Sequence, residues 1–175
     1  GIDTIKPGSN GLLYTPYLVG ERTPYADANI RASFIGMDAA HTKVHFAKAV
    51  MEGITFSLRD SLEIFRDAGK EITEIISIGG GAKNPQWLQM QADIFNTTVY
   101  KLQNEQGPSI GACMIAAVGA GIFKSFEEAV DVCVTLGDKF EPNVDNVAVY
   151  NEVYKVYTQV YTQTKVLNDQ LQQLR

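Results

Sequence analysis

The stretch Ile75-Ile76-Ser77-Ile78-Gly79-Gly80-Gly81-Ala82-Lys83-Asn84-Pro85 decides the fold of this chain. Its β-branched start predicts a strand over 75–78, and its three glycines predict a tight turn. Pro85 suits the first position of a helix, which the apolar spacing extends to Phe95. A second strand is predicted over 97–102. Strand, turn, helix and strand in this order indicate an α/β fold.

Longer helices are predicted on both sides of this unit. Apolar residues from Val44 to Phe65 recur every three or four positions, which predicts one amphipathic helix ending before Gly69. The same spacing over 147–174, with tyrosines prominent, predicts a long terminal helix whose stripe packs in the core or docks another domain. Residues 2–37 are dense in turn formers and predict irregular structure or short strands.

Two shorter helices are predicted between these. The first spans 109–121 and is rich in Gly and Ala, so its backbone can approach a neighbour closely. The second spans 129–136 and follows a capping box, in which Ser125 accepts from the third N–H and Glu128 reaches back. Cys113 and Cys133 lie in these apolar contexts and are interpreted as small core residues.

The glycine turn is the candidate binding site. Glycines at the end of a strand let backbone N–H groups approach a ligand, and a helix N-terminus favours anions. The spacing is neither that of a P-loop nor that of the dinucleotide fold, so a plain tight turn stays open as the alternative. The candidate phosphate or nucleoside contacts are Gly79, Gly80, Gly81, Ala82 and Asn84.

Composition bounds the remaining possibilities. The 175 residues carry a net charge of -5 and a pI near 5.0, which argues against a nucleic-acid partner. No apolar run approaches the ~20 residues that span a bilayer, so we expect a cytoplasmic protein without a membrane partner. We expect residues 1–175 to form a single domain, and a start inside a Pro/Gly-rich passage suggests a fragment of a longer chain.

Other polar residues are assigned structural roles. His41 and His45 are four apart but lack a third ligand, so no metal site is predicted in this chain. Glu21 and Arg22 are expected to tie down their own Pro-bounded loop. Asp60 and Asp93 lie on amphipathic helices, where a solvated or capping role is expected.

Four ordered motifs resemble the C-terminal domain of the FGGY carbohydrate kinase family. They are GLLYTPYL with GERTP at 11–24, HFAKAVMEGITFSLRD at 45–60, GGGAKNPQWLQMQADIF at 79–95 and GPSIGACMIAA at 107–117. The resemblance extends to about Phe123, and within the family it is strongest to the xylulokinases.

The resemblance implies a fold, an activity and different roles for two lobes of one protein. The fold is the C-terminal, nucleotide-binding lobe of an actin/hexokinase-like, ribonuclease H-like ATPase. The partner is the N-terminal lobe of the same kinase, which would supply the catalytic base, so no catalytic residue is assigned to this chain. The cofactors would be ATP and Mg²⁺, with Gly80 and Gly81 against the ribose and α-phosphate and Asn84 at the nucleoside. The isolated chain is expected to be inactive.

Several alternatives stay open. The sugar would be D-xylulose, but a gluconate, ribulose or glycerol kinase would have broadly similar motifs in this lobe. A non-catalytic actin-like nucleotide-binding module is a second class of function. An interaction module acting through Tyr157 and Tyr161 of the terminal helix is a third, and a homodimer through an exposed interface is a related expectation. Gly111 is interpreted either as part of an interlobe hinge or as a small residue in helix packing.

Overall fold

The computed structural model describes residues 1–103 and 108–174 of the chain. Strands and helices alternate through most of it, as the sequence predicts. The elements are β1 (Leu13–Thr15), β2 (Ser33–Ile35), α1 (Lys43–Asp67), β3 (Glu74–Ser77), α2 (Pro85–Phe95), β4 (Thr98–Leu102), α3 (Pro108–Gly119), α4 (Phe126–Cys133), β5 (Leu136–Phe140) and α5 (Val144–Gln172).

The main sheet has β4 at its centre, with β3 on one side and β5 on the other. Strands β3 and β4 are parallel, with Glu74 opposite Thr98 and Ser77 opposite Lys101, and α2 makes the crossover between them. Strand β5 returns antiparallel to β4. Strands β1 and β2 form a separate antiparallel pair. The predicted α/β class is therefore confirmed.

Local signals explain both ends of α2. The Asn84 side chain accepts hydrogen bonds from the backbone N–H groups of Gln86 and Trp87, and Pro85 occupies the first helical position. At the other end, Asn96 adopts the left-handed conformation that commonly stops a helix. These caps place the helix directly between the glycine turn and β4.

The core lies where α1, α2 and α5 meet. Phe56 of α1 packs against the rings of Tyr150 and Tyr157 of α5, while Leu88 and Ile94 of α2 are fully buried beneath them. The tyrosine stripe of α5 thus packs within the chain, as one of the two sequence interpretations stated. Burying such aromatic side chains supplies much of the hydrophobic stabilisation.

The structure corrects three details of the sequence analysis. Residues 136–140 form β5, whereas a helix was predicted to extend to Leu136. The Ser125 cap is confirmed, but Glu128 reaches back to the N–H of Lys124 instead of that of the cap residue. Cys113 is exposed and not in the core, because within the described part of the chain α3 packs mainly on α4 alone.

No helix within the two described ranges combines the length and apolar character needed to cross a membrane.

Asp60 lies in a buried aromatic environment instead of the solvated position expected for it. Asp60 is 6 % exposed, Oδ1 accepts a hydrogen bond of 2.6 Å from the Tyr154 hydroxyl, and Oδ2 has no hydrogen-bond partner among the described residues. Burial raises the pKa of Asp60 to about 6, and the hydrogen bond from Tyr154 opposes that shift. The folded chain therefore holds this proton more tightly than the unfolded chain does.

We expect Asp60 to make the stability of the chain depend on pH. A carboxyl whose pKa rises on folding favours the folded state at low pH, and that contribution is lost as pH rises from about 4 to about 6. The free energy of unfolding, measured by urea titration across this window, should lose about 2 kcal/mol through Asp60. Asp60→Asn should abolish this pH-dependent loss of stability, which is called the Asp60 step below.

The exposed Asp67 near the end of α1 provides a matched control. Asp67→Asn makes the same chemical change and should retain the Asp60 step. In Asp60→Asn an NH₂ group takes the place of Oδ2 and has no acceptor there, which lowers stability at every pH. The variants are therefore compared by how steeply their free energy of unfolding changes with pH, and not by its absolute value. Identical slopes in Asp60→Asn and Asp67→Asn would contradict the prediction.

Candidate functional site

The glycine turn leaves β3 in a conformation that requires glycine. Gly79 has φ 90° and ψ -173°, a region of backbone space that is nearly restricted to this residue. Residues Gly80–Lys83 then form one turn of 3₁₀ helix before α2 begins. Because Gly79 and Gly80 are both solvent-exposed, the turn presents bare backbone at the end of the strand.

Gly80 and Gly81 differ in what surrounds them. Within residues 1–103 and 108–174, a Cβ placed on Gly80 meets no atom within 4 Å, whereas a Cβ on Gly81 lies 3.1 Å from the ring of Trp87. Gly80 therefore faces open space, and the indole packs closely against Gly81. The lack of a side chain thus has a different consequence at each of these two neighbouring positions.

Ala82 and Asn84 are already engaged within the chain. The Ala82 side chain is buried, and its N–H donates to the carbonyl of Gly79. Asn84 Oδ1 accepts from two backbone N–H groups of α2. A ligand contact by Asn84 is therefore predicted for its amide NH₂, as a donor, and the capped helix N-terminus offers an anion less than the sequence suggests.

Trp87 is a residue of the site to which the sequence analysis gave no functional role. It is only half-buried, and its indole N–H donates to Thr55 Oγ1 of α1 over 2.9 Å. Together with Gly81 it lines an open groove of about 420 Å³ beside the turn. Its position three residues after the cap Asn84 was the available signal, because helical side chains lean toward the N-terminus.

The residues of the small-residue helix α3 are exposed or half-buried from 109 to 119. A Cβ on Gly111 meets no atom within 4 Å in the described part of the chain, so the helix-packing interpretation finds no neighbour there. The hinge interpretation stays a prediction. Gly107, the first residue of the GPSIGACMIAA motif, lies outside the described residues.

The loop that carries the GERTP motif is fastened to the two long helices. Glu21 accepts hydrogen bonds from the backbone N–H groups of Arg22 and Thr23, and contacts the Ser57 hydroxyl of α1. At the far side of the loop, Asp27 accepts from Tyr161 and Lys165 of α5. These bonds agree with the structural role expected for Glu21.

The two histidines act at the start of α1. His45 Nδ1 accepts from the N–H of Thr42, the cap residue, and completes a capping box. His41 Nε2 lies 3.1 Å from the carbonyl oxygen of Asn10. Across residues 1–103 and 108–174, no three His, Cys, Asp or Glu side chains come together as metal ligands would.

The terminal tyrosines contact other residues of this chain. Tyr157 is fully buried and Tyr161 stacks on Tyr25, with ring centroids 3.7 Å apart. A charge at Tyr157 would disrupt the core instead of removing a docking surface. The interaction-module alternative therefore loses the residues on which it was based.

Comparison with known proteins identifies the relatives of this chain. The model of the C-terminal domain of the FGGY family of carbohydrate kinases matches residues 4–120. A curated relative, the xylulose kinase of Bacillus subtilis (strain 168), is 57 % identical over 175 residues, which is all of this chain and 35 % of the relative. The chain thus spans about a third of that relative's length.

Solved structures show the same likeness. The ligand-bound xylulose kinase from Lactobacillus acidophilus matches 97 % of this chain and 34 % of its own, with a TM-score of 0.89 and 29 % identity. The gluconate kinase from Lactobacillus acidophilus matches 93 % of this chain and 33 % of its own, with a TM-score of 0.85 and 30 % identity. The actin/hexokinase-like fold is common to kinases for different sugars.

The geometry of the turn predicts that alanine at Gly79 destabilises the chain much more than alanine at the adjacent Gly80. Gly79→Ala forces an L-residue into a glycine-only conformation and should lower the free energy of unfolding by about 1–3 kcal/mol. Gly80→Ala, the matched control, adds the same methyl group to open space and should change it by less than about 1 kcal/mol. Urea unfolding followed by circular dichroism measures both, and equal losses would refute the difference in backbone geometry between the two glycines.

Proposed function

Because the chain belongs to the FGGY family of carbohydrate kinases, we propose that it is the nucleotide-binding C-terminal lobe of a kinase that converts D-xylulose to D-xylulose 5-phosphate. The observation that carries the proposal is the 57 % identity to a xylulose kinase along the whole of this chain. Residues 1–175 would form one domain of a cytoplasmic, two-lobed protein. The N-terminal lobe of the same polypeptide would be the partner of this one.

The described residues fit a nucleotide at the glycine turn. Open space above Gly80 admits a ribose and an α-phosphate close to the backbone, where any side chain would stand in the way. The Asn84 amide can donate to an acceptor atom of the nucleoside while its oxygen caps α2. ATP would supply the γ-phosphoryl group, and Mg²⁺ would arrive bound to its phosphates.

The chemistry itself is assigned to the closed pair of lobes. Phosphoryl transfer depends mainly on alignment of the reactants and on electrostatic stabilisation, so half of a cleft supplies little of the rate. This chain would position the nucleotide, and the missing lobe would position the sugar and the base. We therefore propose that the isolated chain has no turnover.

The sugar is the least constrained part of the proposal. The likeness to the gluconate kinase structure supports gluconate as the second candidate, since the two folds superpose almost equally well. The higher identity to the curated xylulose kinase favours D-xylulose. Homodimer formation stays a prediction of the sequence analysis.

The intact kinase should release ADP in the presence of D-xylulose faster than with any aldonate or polyol. A coupled ADP assay across a ketose, aldonate and polyol panel measures this, with residues 1–175 alone as the inactive control. If gluconate is the best substrate, the second candidate replaces the first. If a folded intact protein shows no sugar-stimulated release, the non-catalytic nucleotide-binding module is favoured.

A charge at Gly80 should weaken nucleotide binding without disturbing the fold. Gly80→Asp directs a carboxylate into the open space proposed for the phosphates, and repulsion should raise the KM for ATP at least about tenfold, ~1.4 kcal/mol. Gly80 is a better test than Gly81, where a Cβ lies 3.1 Å from the Trp87 ring and a substitution also perturbs the indole. The KM for the sugar should change much less.

Gly119→Asp is the matched control for this variant. Gly119 is exposed at the C-terminal end of α3, and in the part of the chain that the structure describes a Cβ there also meets no atom within 4 Å. The same added charge should leave the KM for ATP within about twofold of the unmodified enzyme, ~0.4 kcal/mol. If both variants raise the KM equally, the effect is one of net charge and the turn is not the nucleotide site.

A further inference from the structure

Helix α1 contacts both ends of helix α2 through hydrogen bonds. At the C-terminal end of α2, the guanidinium group of Arg59 donates to the carbonyl oxygen of Ile94 over 2.9 Å. At the N-terminal end the donor is a side chain of α2, because the indole N–H of Trp87 donates to Thr55 Oγ1 over 2.9 Å. The hydroxyl of Thr55 thus joins α1 to the end of α2 that follows the glycine turn.

The Thr55 hydroxyl has a fixed orientation. Thr55 is fully buried, and its Oγ1 lies 2.7 Å from the carbonyl oxygen of Met51, one turn earlier on α1. Because a carbonyl oxygen can only accept, the one hydroxyl proton points to Met51, and the lone pairs of Oγ1 are left for the indole. The two hydrogen bonds therefore run in one direction, from Trp87 through Thr55 to the backbone of α1.

Trp87 transmits this restraint to the glycine turn. Its ring carbons lie 3.1 Å from the position that a Cβ would take on Gly81. Its backbone N–H donates to both the side-chain and the carbonyl oxygen of Asn84, and the N–H of Asn84 donates in turn to the carbonyl of Gly81. The indole therefore packs against the turn with its ring and is held to α1 by its nitrogen.

The position of the indole depends on the hydroxyl because Trp87 is only half-buried. An indole N–H that loses its protein acceptor costs free energy unless it reaches water. A half-buried side chain can reach water by changing its rotamer, and this movement would take the ring away from Gly81. The Thr55 hydroxyl thus selects the rotamer in which the ring packs on the turn.

We propose that Thr55 is a positioning residue for the nucleotide. Through the indole of Trp87 it holds the backbone at Gly80 and Gly81 in the geometry that the ribose and the α-phosphate would contact. A turn that is already ordered binds a ligand more tightly, because less ordering is needed on binding. The inference rests on the proposed nucleotide site, and Thr55 itself makes no contact with the ligand.

Titration calorimetry of the intact kinase with ATP and Mg²⁺ tests this role. Thr55→Val removes the hydroxyl but keeps the branched shape, and it should raise the Kd for ATP at least about fivefold. Thr55→Ser keeps the hydroxyl and should bind ATP within about twofold of the unmodified protein. Unchanged binding in Thr55→Val would overturn the proposal, as would a loss in Thr55→Ser equal to that in Thr55→Val.

Thr164→Val is the matched control. Thr164 Oγ1 makes the same kind of hydrogen bond, 2.8 Å to the carbonyl oxygen of Val160 one turn earlier, but on α5. The Kd for ATP should stay within about twofold of the unmodified protein. If Thr164→Val weakens ATP binding as much as Thr55→Val does, the effect is a general one of losing a helical hydroxyl, and the specific role of Thr55 is refuted.

A double variant keeps the test decisive if Thr55→Val alone folds poorly. Trp87→Phe removes the N–H donor, so adding Thr55→Val to it leaves no indole N–H unpaired, and removing both partners of a hydrogen bond is milder than removing one. The Kd of the double variant should therefore lie within about twofold of that of Trp87→Phe. Losses that multiply in the double variant would show that Thr55 and Trp87 act independently, against the proposal.

The outcomes also separate this inference from the proposed function. Calorimetry with ATP needs no turnover, so an intact protein that behaves as expected here but phosphorylates no sugar would contradict the proposed function and leave the role of Thr55 standing. In an active kinase, Thr55→Val should raise the KM for ATP and not the KM for D-xylulose. Equal rises in both would overturn the positioning role, and a folded intact protein that binds no ATP would overturn both proposals.

Discussion

The arrangement of the chain depends on the hydrogen bonds that the buried carboxylate of Glu52 accepts. It accepts hydrogen bonds from the N–H of Gly8, the hydroxyl of Ser9 and the hydroxyl of Tyr150, and so joins the N-terminal segment, α1 and α5. Burial raises the pKa of this carboxyl, while the three donors oppose the shift. Beside it, Gly53 lets α1 approach the Tyr14 carbonyl of β1 so closely that no Cβ would fit. The middle of α1 is therefore the point at which the separate parts of the chain are joined.

The sequence predicted those elements whose signals are local. The strand, the three glycines and Pro85 lie next to one another, and Asn84 caps the helix that they predict. Strand β5 was missed because the sequence LGDKF has neither alternation nor β-branched residues, and it exists as a strand because β4 offers a partner. Burial of Asp60 was missed for a similar reason. The tyrosine that covers it lies 94 residues further along the chain, and a helical pattern says nothing of such distant neighbours.

The sequence predicted where the candidate site lies, but it did not predict the structural role of each residue in it. The three glycines of the turn cannot be told apart in the sequence. In the structure Gly79 has a positive φ, Gly80 faces open space and Gly81 packs against the indole of Trp87. Asn84 was expected to contact a ligand; its oxygen caps α2, so that predicted contact is left to its NH₂ group. These assignments depend on the path of the backbone and on the rotamer of Trp87. The family resemblance gave the region of the site, while the geometry separates what the turn needs for itself from what it can offer a nucleotide.

Trp87 also gives the glycine turn a built-in optical signal. It is the single tryptophan of the 175 residues, it contacts Gly81, and it donates its N–H to Thr55. Indole emission responds to polarity and hydrogen bonding in its surroundings, so fluorescence excited selectively at the indole, and not at the eight tyrosines, reports on the turn within these 175 residues. The close packing of the indole against position 81 thus places this signal at the turn, where binding of the proposed nucleotide would be followed in real time without any attached dye.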